Sequence, residues 1–145
     1  MSDRPSLTGK RLMALDFGKA RIGVAVCDEM HIVVSTRPVI TNDETVWEQL
    51  QERVFRDQIQ IVAVGVPRRV DDQTTEIIAD IERFIEELRQ RIGLPVIEVD
   101  EAFSTQRAFD VMRSTGMRKK KRSTKGTKDQ LAAAVILQDL IDENR

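Results

Sequence analysis

The chain has 145 residues, 41% of them hydrophobic and 32% charged, with a formal net charge of −1; this suits one globular domain whose core needs no staples, and any nucleic-acid binding must come from local clustering of charge. A single cysteine, Cys27, and a single histidine, His31, exclude an internal disulfide and a thiolate or imidazole zinc cage. No apolar run approaches the ~20 residues that span a bilayer, and the polar lead Met1–Ser6 has no secretory core, so with one cysteine the expectation is a cytoplasmic protein that meets no membrane.

In chain order, residues 1–8 are expected to be a flexible lead. Arg11 to Phe17 and Ile22 to Cys27 are apolar on both faces, as strands inside a sheet are. A third strand runs from about Ile32 to Ile40, and the short links make these three antiparallel neighbours. Thr41-Asn42-Asp43-Glu44 fits a capping box with Thr41 as N-cap. Val46, Trp47, Leu50 and Val54 then form the apolar stripe of a helix, with Phe55 also on its inner side. Ile59 to Val66 is another apolar strand, ended by Gly65-Val66-Pro67.

Ile77, Ile78, Ile81, Phe84, Ile85, Leu88 and Ile92 recur at helical spacing, and Gly93 with Pro95 stops that helix. Val96 to Val99 is the last strand and leads into Asp100-Glu101. Ser104 caps a further helix with Ala108, Val111 and Met112 inward, and the polar, basic residues 116–126 are expected to form a mobile loop. The last helix starts at Thr127, with Gln130 closing a capping box and Leu131, Ala134, Val135, Gln138 and Ile141 along the core. No repeat or linker divides the chain, so 1–145 is expected to be one domain. The order describes a mixed sheet with helices on both faces, its later strands brought parallel to the first by helical crossovers. Ligands gather at the carboxyl ends of such strands, here Asp16, Gly65-Val66-Pro67 and Asp100-Glu101.

Asp16 interrupts an apolar run, and a charge there costs several kcal/mol unless something pairs with it. Gly18 and Gly23 bracket a tight return that carries Lys19 and Arg21, a combination suited to phosphate. Glu101 ends the last strand, and Asp129 lies in the first turn of the last helix. Asp129 also has a plainer use, complementing the helix dipole for about 0.3–1 kcal/mol, and Glu101 reads equally as an exposed loop acid. Three converging carboxylates without an imidazole cluster make a site for Mg²⁺ or Mn²⁺, which take hard oxygen ligands. Two such ions roughly 3.5–4 Å apart activate water and stabilise the leaving oxygen of a phosphodiester. Arg118, Lys119, Lys120, Lys121 and Arg122, followed by Lys125 and Lys128, immediately precede Asp129. In isolation such a run is a solvated surface; beside the acids it becomes a phosphate path that holds backbone without reading bases.

Leu15-Asp16-Phe17-Gly18 with Arg21-Ile22-Gly23-Val24-Ala25, Val64-Gly65-Val66-Pro67, Val99-Asp100-Glu101 and Asp129 to Gln138 together resemble the YqgF (RuvX-like) family, over nearly the whole chain and in the right order. The resemblance implies an RNase H-like α/β fold: a mixed five-stranded sheet of order 3-2-1-4-5, strand 2 antiparallel, helices on both faces. It implies a divalent-metal nuclease for the 5′ end of pre-16S rRNA in ribosome biogenesis, or a Holliday junction resolvase acting on branched DNA. Asp16, Glu101 and Asp129 then take the family's catalytic, metal-binding positions. The family usually carries an arginine directly after the glutamate, where this chain has Ala102. That change favours a third reading, a non-catalytic nucleic-acid-binding protein on the same fold. A resolvase would need two symmetric sites, hence a homodimer, whereas an RNA nuclease can act as a monomer. Asp16-Phe17-Gly18 also resembles the phosphate turn of actin- and sugar-kinase-like ATPases, but those clasp nucleotide between two such domains.

Overall fold

A strand apolar on both sides belongs inside a sheet, and β1 (Leu12–Asp16) is the central strand of five. β2 (Arg21–Cys27) pairs antiparallel with it, Leu12 opposite Cys27 and Asp16 opposite Gly23. β3 (Val34–Thr41) continues antiparallel to one edge, while β4 (Ile61–Pro67) and β5 (Val96–Glu101) join in parallel on the other side. The order β3-β2-β1-β4-β5 is the one expected. The computed structural model describes residues 5–67, 72–101 and 127–144, and the side chains of all of these except 72–75, 101 and 127–129. The helix expected after Ser104 and the basic loop 116–126 lie outside the described residues.

Strand alternation sorts the core into two layers. Leu12, Ala14, Ala25, Cys27, Ala63, Ile97 and Val99 pack with α3 (Thr127–Glu143). Met13, Leu15, Ile22, Val24, Val62 and Val64 pack with α1 (Val46–Arg56) and α2 (Asp72–Ile92) on the opposite face. Leu7 is buried with the α3 layer, which ties the lead to the core. α3 is buried on every side: Ala133, Ala134, Val135, Leu137 and Leu140 have no exposure at all. Its core line is therefore wider than a single stripe, and an all-apolar helix shows little periodicity. No described helix is long and apolar enough to cross a membrane.

Three local expectations are corrected. Thr41 does not cap α1; it pairs with Arg21 as the last residue of β3. The helix opens instead at Val46, because the Asp43 carboxylate accepts from the Thr45 N–H at 2.8 Å and its hydroxyl at 2.6 Å and makes the turn there. β3 starts at Val34 rather than Ile32. Asp28 accepts the N–H groups of Val33, Ile32 and Met30 at 2.8, 3.1 and 3.0 Å, which holds the link as a turn and leaves Ile32 exposed. Phe55 is 87% exposed, since the inner stripe of α1 ends at Val54 and the next residue is rotated by about 100°. The signals at the far end hold: Gly93 closes α2 at φ 74°, the left-handed conformation a glycine adopts freely.

Candidate active site

Asp16 closes β1 at the carboxyl edge of the sheet, half-buried. It continues the alternation of Leu12 and Ala14, which places it on the α3 face. Glu101 closes β5, paired with Pro67 of β4. The same alternation, from Ile97 and Val99, puts that position on the α3 face too. Asp129 is the third residue of α3. The start of α3 is fixed by Gln130, whose side-chain amide donates to the Arg37 carbonyl of β3 at 2.8 Å. Arg37 pairs with Val24, and Val24 with Leu15, so α3 begins level with the residue before Asp16. The backbone therefore brings the three positions to one face and one edge. Among the described side chains no three His, Cys, Asp or Glu stand together; those of Glu101 and Asp129 are outside that set.

The turn after Asp16 is tightly built. A Cβ on Gly18 would lie 2.6 Å from the Arg21 carbonyl oxygen, so only glycine fits without a backbone shift. Asn42 ties this turn to the start of the β3–α1 link: its side-chain amide donates to the Gly18 carbonyl at 2.8 Å and its backbone N–H to that of Ala20 at 3.0 Å. Asn42 is missing from the sequence-based site because it reads as the interior of a capping box. The usable signal is an asparagine at a strand end, where its short amide reaches nearby backbone.

The two cations of the turn part company. Arg21 falls on the alternation of Ala25 and Cys27, hence on the face of Asp16. Lys19 reaches across the edge to Glu76 of α2 at 3.5 Å, an exposed pair that holds little energy. Lys128 lies in the first turn of α3, its side chain not described, and Arg118, Lys119, Lys120, Lys121, Arg122 and Lys125 lie outside the described residues.

His31 has no place in this chemistry. It sits in the β2–β3 turn at the opposite end of β1, at φ 57°, and its Nε2–H donates to the Lys10 carbonyl at 2.8 Å. Cys27 is buried at the same end, and burial, with a smaller push from the Asp28 charge, raises its thiol to about 11. One acid escapes the sequence reading: Asp139, 7% exposed in the middle of the apolar α3.

Residues 10–143 match the RuvX family, described as Holliday junction resolvase. A Flavobacterium johnsoniae protein with the name "Putative pre-16S rRNA nuclease" is 32% identical over 136 residues, covering 93% of this chain and 98% of its own length. A protein of the same name from Christiangramia forsetii is 33% identical over 134 residues, 92% of this chain and 98% of its own. Among solved structures, T. thermophilus RuvC in complex with a Holliday junction substrate superimposes with a TM-score of 0.62 at 13% identity, over 88% of this chain and 92% of that one. Fowlpox virus resolvase with junction DNA gives 0.57 at 12% identity, over 93% and 99%. The structural likenesses bear on fold alone. The family match, running from before β1 to the end of α3, makes this chain a member of the RuvX family.

Proposed function

We propose that this protein is a divalent-metal-dependent nuclease that trims the 5′ end of pre-16S rRNA in the cytoplasm, with Asp16, Glu101 and Asp129 as its catalytic and metal-holding residues. The observation that carries the reading is the placement of those positions on one face at one edge of the sheet, two at strand ends and one in the first turn of a helix. The donor set fits Mg²⁺ or Mn²⁺, because carboxylates supply the hard oxygens these ions take. A divalent ion at these acids supplies positive charge to the scissile phosphate and lowers the pKa of the attacking water.

The chain's own residues do the rest. Gly18 and Asn42 hold the turn that begins after Asp16. Arg21, on the acid face, attracts the phosphate and supplies a cation in a site whose Glu101 is followed by Ala102. Lys128 and the run from Arg118 to Lys125 extend that attraction along the backbone of the substrate. The names of the relatives favour RNA, while the description of the family favours junction DNA.

The test is incubation of a 5′-extended 16S leader RNA, an unrelated single-stranded RNA and a four-way DNA junction with Mg²⁺ or Mn²⁺. The wild-type chain should cut the leader RNA, chelation should stop it, and Asp16→Asn should bind but not cut. Cleavage of the junction alone would make the protein a resolvase. Binding without cleavage of any substrate would make it a non-catalytic member of its family.

A further inference from the structure

Phe17 follows Asp16 directly, and strand alternation turns it to the opposite face of the sheet, where α1 and α2 border a groove of about 540 Å³. The floor is aromatic. Phe17 packs on Phe84 with ring centroids 5.0 Å apart, and Phe84 stacks on Trp47 at 5.4 Å and 20°. Phe84 is buried, but Phe17 and Trp47 are half-buried and line the groove. The rim is acidic: Asp43, Glu44, Asp80 and Glu87 face one lining cation, Arg83, which is itself paired with Asp80.

That charge pattern selects the occupant. A phosphate chain entering the groove would come within a Debye length, about 8–10 Å, of carboxylates that outnumber the cations, so nucleic acid is repelled here. A metal ion does not fit either, since among the described residues no three acids stand close enough together to hold one. What remains is an organic cation with an apolar part. A contact beside the groove, made by a residue outside its lining, shows the chemistry. The Arg91 guanidinium lies 5.2 Å from the Trp47 ring centroid and is bound by Glu87 at 2.7 Å, between an aromatic surface and a carboxylate. The groove's lining brings the same two kinds of group, the Phe17 ring and the Asp43 and Glu44 carboxylates, to one surface open to a guanidinium from outside.

We propose that this groove docks a basic polypeptide segment of a protein partner, one that presents an arginine beside an apolar side chain. The groove is open rather than enclosed, which suits a segment laid across it. Because it opens on the face opposite Asp16, the protein can hold that segment and a nucleic acid at once. The proposal is independent of the nuclease reading and is tested without cleavage.

Trp47 is the only tryptophan of the chain, so its emission reports on the groove. Titration of the whole protein with a ten-residue peptide alternating arginine and leucine should change that emission saturably. The double variant Asp43→Asn/Glu44→Gln should weaken the apparent affinity at least tenfold, with the melting curve little changed, because asparagine keeps an oxygen that can accept from Thr45 and Glu44 is exposed. Glu82→Gln/Glu86→Gln, exposed on α2 but outside the groove lining, should leave it as it was. The proposal is overturned if the emission does not respond, if a glutamate–leucine peptide binds equally well, or if the two double variants lose affinity alike. It is overturned as well if a ten-nucleotide single-stranded RNA gives the same change and displaces the peptide.

Discussion

Asn42 donates its side-chain amide to the Gly18 carbonyl at 2.8 Å, joining two turns that lie 24 residues apart in the chain. The bond is part-buried, and it closes over the segment that leads away from Asp16. Asn42→Ala should cost about 1 kcal/mol, the net value of one such bond with its acceptor left exposed to competition from water. For a chain of this size that lowers the melting temperature by roughly 2–4 °C. If Asp16 acts as proposed, cleavage should fall further than the folded fraction does, because the loosened turn is the exit of the strand that ends in Asp16. A melt and a rate both unchanged would show that the backbone bond to Ala20 suffices.

Gly18→Ala should be more severe. The added methyl would sit 2.6 Å from the Arg21 carbonyl oxygen, and that oxygen belongs to backbone already paired with Thr41. The chain must shift, at a cost of about 1–3 kcal/mol for forced overpacking. Urea unfolding of the two proteins side by side measures it. Equal midpoints would show that the turn absorbs the methyl freely.

How much of this was legible in the sequence depends on the range of the signal. Asp16 stands out because it breaks an apolar run, and the parallel placement of β4 and β5 follows from the helical crossover before each. That the positions of Asp16 and Glu101 share a face needs the register, since a slip of one residue would move position 101 to the other face. Thr41 misled because a capping box is a four-residue pattern, and it competed with a ladder bond to Arg21 that no local window contains. Phe55 misled for a similar reason, one residue past the end of its stripe. The groove could not be read at all. Phe17, Trp47 and Phe84 come from three elements, and only the packing of α1 beside α2 brings them together.

Cys27 gives a pH prediction with a defined sign. Its thiol is raised from 9.0 to about 11 in the folded protein, mainly by burial. Below pH 9 the thiol is protonated in both states and contributes no pH dependence. Between about 9 and 11 the unfolded chain loses the proton and the folded one keeps it, so stability falls as pH rises through that window. Cys27→Ala should flatten this part of the alkaline profile. At pH 8 the folded thiol should react with a disulfide reagent at least tenfold more slowly than a free cysteine, because burial both lowers its thiolate fraction and shields the sulfur. Reaction at the free rate would place Cys27 at the surface.

The phosphate path has two candidate stretches, and salt dependence tells them apart. Lys19 is drawn to Glu76 across the edge, while Arg21 falls on the acid face. If the run before Asp129 tracks the substrate, neutralising Lys119, Lys120 and Lys121 to glutamine should weaken binding to unrelated RNAs about equally. Each lost contact should also flatten the slope of log affinity against log salt by roughly 0.7 on a single strand. For a solvated run stability should stay the same, because solvated charges contribute little to folding. A slope unchanged in the triple variant but reduced by Arg21→Gln would move the path to the β1–β2 turn. There a single guanidinium, one strand away from Asp16, would set both the position of the phosphate and the attraction that brings it in.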